Sequence, residues 1–209
     1  MKTEILRADH PVALPHAVDV LKHGGVVAFP TDTVYGLAAL PFTAETVERL
    51  YFVKGRNNLK AIAILIGAVS DLGLVALAMT PLAESLAKRF WPGPMTLIVP
   101  SSPALPANLS PTPTVGVRMP NHPVALALLR QAGPLAVTSA NLSGGANAKT
   151  VQEVLAQLDG RVHLVLDGGP TPGGVPSTVV DCTNAKPKIV RAGPITEQQI
   201  MEALGFFQG

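Results

Sequence analysis

Residues 26–36 read Val26-Val27-Ala28-Phe29-Pro30-Thr31-Asp32-Thr33-Val34-Tyr35-Gly36. Four apolar residues run without a polar break. The next seven supply two hydroxyls, a carboxylate and a phenol. An unbroken apolar run of this length suits a strand buried on both faces. In open α/β sheets, ligands bind beyond the carboxyl ends of strands. The polar segment is therefore a candidate site, although a turn with a helix cap reads equally well.

The same pattern recurs outward along the chain. Further strands are expected at 62–66, 96–99, 115–119, 135–138, 162–166, 178–181 and 189–191. Helical patterns lie between them. One spans 11–23 and stops at Gly24-Gly25. Thr43 can cap a helix carrying Val47, Leu50 and Tyr51. Thr80-Pro81 pairs a cap with proline in the first turn. A helix is expected over 123–132. Thr150-x-x-Glu153 and Thr196-x-x-Gln199 match the capping box, and Val151, Val154, Leu155 and Leu158 trace an apolar stripe. The alternation predicts one α/β (α+β) domain covering 1–209, with an irregular proline-rich loop at 100–114. Residues 61–79 are almost wholly apolar, but Asp71 would cost about 2.5–3.5 kcal/mol at mid-membrane. Strand 61–66, turn 67–71 and helix 72–79 account for them better than a membrane span.

Composition narrows the function classes. The chain has 209 residues, 47% hydrophobic and 14% charged, with a net charge of +2. Such a composition supports a folded core, not a disordered tail. So small a surplus supports no general polyanion surface, and any basic site must be local. Aromatic residues at 4% are too few for a run of base-stacking platforms. The single Cys182 excludes an internal disulfide and a cysteine-rich zinc cluster. We expect a reduced, cytoplasmic protein, with no signal peptide in residues 1–10. The glycines at 168–174 are spaced like a phosphate loop, but Gly174 stands where its lysine must be.

Three more polar segments follow apolar runs. Lys54-Gly55-Arg56-Asn57-Asn58-Leu59-Lys60 sets three cations in seven residues. A polyphosphate would screen them, and so would solvent. Thr138-Ser139-Ala140-Asn141-Leu142-Ser143-Gly144-Gly145 offers small hydroxyls, an amide and a close backbone. Thr150 then opens a helix whose N-terminus favours anions. Ser177-Thr178 opens a strand, and Arg191 ends the next one. Arg118 emerges from an apolar strand, a place where arginine is commonly paired with a carboxylate. Together these segments describe a pocket of cations, hydroxyls and glycines with no protein nucleophile. Such a site catalyses by alignment and charge stabilisation.

Seven ordered motifs carry a resemblance. They are Pro30 to Leu37, Lys54-x-Arg56, Phe90-Trp91-Pro92-Gly93-Pro94-Met95-Thr96, Val117-Arg118-Met119-Pro120, Ser139-Ala140-Asn141-Leu142-Ser143-Gly144, Ser177-Thr178-Val179-Val180-Asp181 and Arg191-x-Gly193. From about residue 24 to 200 the chain resembles the YrdC-like family of threonylcarbamoyl-adenylate synthases, in its short single-domain form. The resemblance implies a twisted, open, mixed β-sheet flanked by helices, with a large basic cavity. It implies that L-threonine, bicarbonate and ATP give L-threonylcarbamoyl-AMP and pyrophosphate. A partner transferase then passes the group to tRNA, to an adenosine beside the anticodon. An RNA-binding accessory module without catalysis is the alternative; a carbamoyl-transfer domain is a third reading.

By the same resemblance, Thr31, Arg118, Ser139 and Ser177 hold L-threonine. Lys54 and Arg56 are the catalytic pair on the phosphates. Asn58, Thr114, Asn141, Ser143 and Arg191 complete the ATP side, and Lys149 or Thr150 adds to it. Mg2+ is expected to arrive with the triphosphate, with no protein-only metal site. Two departures stand out. Asn57 and Ala61 replace family prolines, and Leu65 stands near a histidine that some relatives use for threonine.

Overall fold

The protein is described from a computed structural model over residues 2–55 and 60–205. Among these residues, ten strands form one mixed sheet, and seven α-helices flank it. In chain order the strands are β1 (Glu4–Arg7), β2 (Val27–Phe29), β3 (Gly36–Ala39), β4 (Ala63–Leu65), β5 (Met95–Pro100), β6 (Thr114–Arg118), β7 (Leu135–Ser139), β8 (Leu164–Asp167), β9 (Thr178–Asp181) and β10 (Lys188–Arg191). Their spatial order is β1-β8-β2-β3-β7-β4-β6-β5-β9-β10. β1 and β2 run parallel to β8, β4 to β6, and β5 to β9; the other neighbours are antiparallel.

The helices are α1 (Ala13–Lys22), α2 (Ala44–Lys54), α3 (Leu72–Val75), α4 (Pro81–Phe90), α5 (Pro123–Ala132), α6 (Val151–Leu158) and α7 (Glu197–Ala203). The Thr80 hydroxyl accepts from Ala83 N at 3.1 Å and donates to the Cys182 carbonyl at 2.9 Å, so one cap also ties α4 to the end of β9. The Thr196 box is reciprocal: Gln199 N donates to Thr196 Oγ1 at 3.2 Å, and Thr196 N to Gln199 Oε1 at 2.9 Å. At Thr150 the box is displaced by one residue, because Glu153 Oε2 accepts from Lys149 N at 2.6 Å. Thr43 occupies its cap position, but its hydroxyl pairs with Thr46 Oγ1 at 2.7 Å and caps no backbone amide.

All eight strands expected from the sequence are present, within a few residues of their expected ends, and two were missed. β1 has only two apolar residues and lies on a sheet edge. β3 reads Gly-Leu-Ala-Ala, without a β-branched residue. Its pairing with β2 and β7 overrides that weak propensity. The helix expected over 72–79 ends at Val75. Ala76 instead bridges Ser101, and Leu77 N donates to the Pro100 carbonyl at 2.9 Å.

The two faces of the sheet are covered differently. Ala28, Leu37, Ile64, Leu97, Val117, Ala136 and Val180 point to one side and pack with α2, α4, α6 and α7 in the larger core. Val27, Phe29, Ala38, Leu65, Leu135, Val137 and Leu164 point to the other side and meet α1 and α5. That second cover reaches from β1 to β4. Beyond it, the same face of β6, β5 and β9 has no helix over it. The long apolar runs thus made double-sided burial true of half the sheet, and the other half faces a cavity.

Candidate active site

The cavity lies on that uncovered face and measures about 300 Å³, enough for a small ligand. Its floor follows strand alternation: Val137 and Ser139 on β7, Ala63 and Leu65 on β4, Gly116 and Arg118 on β6, Thr96 and Ile98 on β5, Val179 on β9. Loop residues Thr31, Thr33, Val34, Tyr35, Asn147, Pro176 and Ser177 wall it, with Arg191 from β10. The expectation that ligands sit beyond strand carboxyl ends is corrected here. In this mixed sheet the strand ends diverge, and the hollow is the half-face left bare by α1 and α5. At Gly116 the floor leaves little room for a side chain: a Cβ there would lie 3.0 Å from Thr96 Cγ2.

Arg118 is 5% exposed and held from three sides. Its Nε donates to the Gly93 carbonyl at 3.0 Å and its Nη1 to Thr33 Oγ1 at 3.0 Å, while its Nη2 pairs with Asp32 Oδ1. Burial pushes the guanidinium below its ordinary range, with Arg191's charge adding to that; Asp32 opposes both. The hydroxyls behind it form a directed chain. Thr31 Oγ1 donates to the Val34 carbonyl at 2.7 Å, so Thr33 is the donor in the 3.0 Å contact between the two threonines. Thr31 Oγ1 also accepts from Thr33 N and Val34 N, so its hydroxyl largely shapes the loop.

Across the cavity, Ser177 Oγ lies 2.7 Å from Thr96 Oγ1 and accepts from Arg191 Nη2 at 3.0 Å. Arg191 Nε and Nη2 also bind the Ser177 carbonyl. A bulge aims this arginine. Ile189 pairs with Val180 and Arg191 with Val179, leaving Val190 as an extra residue that is exposed. Ile189 joins the core, and the added residue turns Arg191 to the cavity side. Gly193 then crosses Ser177: a Cβ there would stand 2.3 Å from Thr178 N, so no other residue fits.

Lys54 ends α2 and is 3% exposed. Its Nζ donates to the carbonyls of Ser139 and Asn141, and its own carbonyl accepts from Ser143 N at 2.9 Å. It braces the loop after β7 from beneath and is absent from the cavity lining. Asn141 donates to the carbonyls of Leu142 and Gly145, while its buried Oδ1 accepts no hydrogen bond from the described residues. Thr114 starts β6 beside the proline-rich loop, with its hydroxyl 2.8 Å from Thr112 Oγ1. Lys149 packs beside Gly174, and Thr150 caps α6.

Of the residues expected from the sequence, Thr31, Arg118, Ser139, Ser177 and Arg191 line this cavity. Thr114, Asn141, Ser143 and Lys54 stand outside its lining. Arg56 and Asn58 lie outside the described residues. The sequence reading named no role for Asp32, Thr33, Gly93 or Thr96, although each lay within a quoted motif. Pairing Asp32 with Arg118 required contact across 86 positions. Leu65 is an apolar part of the floor. Tyr35 is buried, donates to the Gly169 carbonyl at 2.8 Å, and is pushed up to about 12 by burial and by Asp167. Burial, with Asp181 adding, also raises the Cys182 thiol to about 12, far from a reactive thiolate. Among the described residues no group of three or more His, Cys, Asp or Glu could hold a metal, and no helix is long and apolar enough to cross a membrane.

A family model described as Sua5_yciO_yrdC, telomere recombination, matches residues 19–193. A Bacillus subtilis protein named threonylcarbamoyl-AMP synthase is 42% identical over 97% of this chain and 59% of its own length. A Homo sapiens protein of the same name is 40% identical over 90% of this chain and 69% of its own. The crystal structure of P. abyssi Sua5 complexed with L-threonine superposes with a TM-score of 0.91 at 36% identity, covering 98% of this chain and 60% of that one. The chain thus spans about three-fifths of the length of the B. subtilis and P. abyssi proteins.

Proposed function

The chain belongs to the Sua5–YciO–YrdC family, and on that premise we propose that it makes L-threonylcarbamoyl-AMP and pyrophosphate from L-threonine, bicarbonate and ATP. The reading rests chiefly on one observation. Arg118, Arg191, Thr31, Ser139 and Ser177, from distant parts of the chain, line a single hollow the size of a small ligand. In the proposed reaction the threonine amine attacks bicarbonate and water leaves, giving a carbamate. The carbamate oxygen then attacks the α-phosphorus, and pyrophosphate departs. The attacking atom belongs to the substrate, so a site of cations and hydroxyls suffices.

Arg118 would hold the amino-acid carboxylate, flanked by Thr31, Ser139 and Ser177. Lys54, Arg56 and Arg191 would balance phosphate charge, with Asn58, Thr114, Asn141 and Ser143 on the nucleotide. Magnesium enters as part of the nucleotide substrate, since Asp32 is already engaged by Arg118. The product would pass to a tRNA-modifying transferase in the cytoplasm. The test is pyrophosphate release by the purified chain. Release that requires threonine, bicarbonate and ATP together is expected. None under any condition would reject the synthase and leave a binding role.

A further inference from the structure

We propose that Asp32 and Thr33 are positioning residues that set the fork of Arg118 for a carboxylate in the cavity; this rests on the synthase reading. A guanidinium has five N–H groups. Gly93, Thr33 and Asp32 take one each from Nε, Nη1 and Nη2. One N–H then remains on each terminal nitrogen, which matches the two oxygens of a carboxylate. The three anchors come from two loops and keep a 5%-exposed side chain in one pose before any ligand arrives. Asp32 is itself nearly enclosed, at 12% side-chain exposure, and is not part of the cavity lining. It can fix Arg118 without meeting the ligand. Its charge also offsets one of the two arginines that share the hollow, leaving the other positive charge uncompensated by Asp32.

The experiment compares Asp32→Asn and Thr33→Val, with Thr33→Ser as the conservative rescue. The first readout needs no substrate: the guanidinium N–H signals of Arg118, assigned with Arg118→Lys. Slow, resolved Nη signals are expected in the unaltered protein and their collapse in Asp32→Asn. The second is steady-state kinetics. Asp32→Asn is expected to raise the threonine KM about tenfold or more while the ATP KM stays within about twofold; Thr33→Val does so more weakly, and Thr33→Ser restores it. Unchanged guanidinium signals, or equal rises in both KM values, would overturn the proposal. An unaltered chain that released no pyrophosphate would sink the synthase reading instead, and the guanidinium signals alone would then decide the tether. Should Asp32→Asn fail to fold, the same two readouts on Thr33→Val and Thr33→Ser decide it.

Discussion

Among the described residues, Arg118 and Lys54 are buried cations, and they are held in opposite ways. Arg118 sits on a strand, faces the cavity and is matched by a carboxylate. Lys54 sits at a helix end, lies under the cavity wall and is held by backbone carbonyls of the Ser139 loop. A carboxylate partner fixes the orientation of a planar fork. Carbonyl partners instead turn the charge into a strut, so the loop takes its shape from the lysine. One corner is therefore built to present a group, the other to shape a wall.

The largest effect should come from the strut. Lys54→Ala is expected to lower pyrophosphate release by about 100-fold or more, the scale seen when groups at a site are displaced by about 1 Å, because the loop after β7 loses its brace. Amide hydrogen exchange should quicken at Ser143, which donates to the Lys54 carbonyl. Near-normal turnover with unchanged exchange would break the contrast.

At the fork, Arg118→Ala leaves Asp32 enclosed without its partner and should cost about 3 kcal/mol of stability. Adding Asp32→Asn to that variant should restore part of it, because the stranded charge is gone. No recovery in denaturant unfolding would mean that the pair contributes through packing alone. In kinetics, the threonine KM should rise more than the ATP KM.

A smaller, pH-dependent effect lies apart from both corners. Burial, and then Arg49's charge, holds the His163 imidazole below its ordinary range. Its Nδ1 also accepts from Val26 N at 3.1 Å, which protonation there would end. The unfolded chain therefore binds the proton more readily. Stability should be complete above about pH 6.5 and decline as the pH falls below it. His163→Asn should flatten part of that slope in melting curves without altering the ratio of the two KM values. The smallest effect is expected at Cys182→Ser: its thiol is buried far from its titration range, so turnover should stay within about twofold.

Much of this architecture was legible from the chain. Apolar runs marked eight strands, and hydroxyls before Pro81, Val151 and Glu197 marked three capped helices. The polar segments after Phe29 and Val137 were recognisable as a site because strand-length runs ended there. β3 was not legible, since Gly-Leu-Ala-Ala has no strand propensity and is a strand only between two neighbours. The placement of the hollow was not legible either. Alternation separates a strand's residues into two sets, but it does not say which set a helix will cover.

By itself, the sequence determined most of the elements and which residues could meet an anion. Tertiary structure decided how those residues were used. Asp32 met Arg118 only once β2 and β6 were fixed in one sheet, and Lys54 became a strut only when β7 ended above α2. Arg191 turned inward only because the ladder with β9 took in Val190 as an extra residue. Each outcome depends on register between segments far apart in the chain, and local composition carries no information about that register.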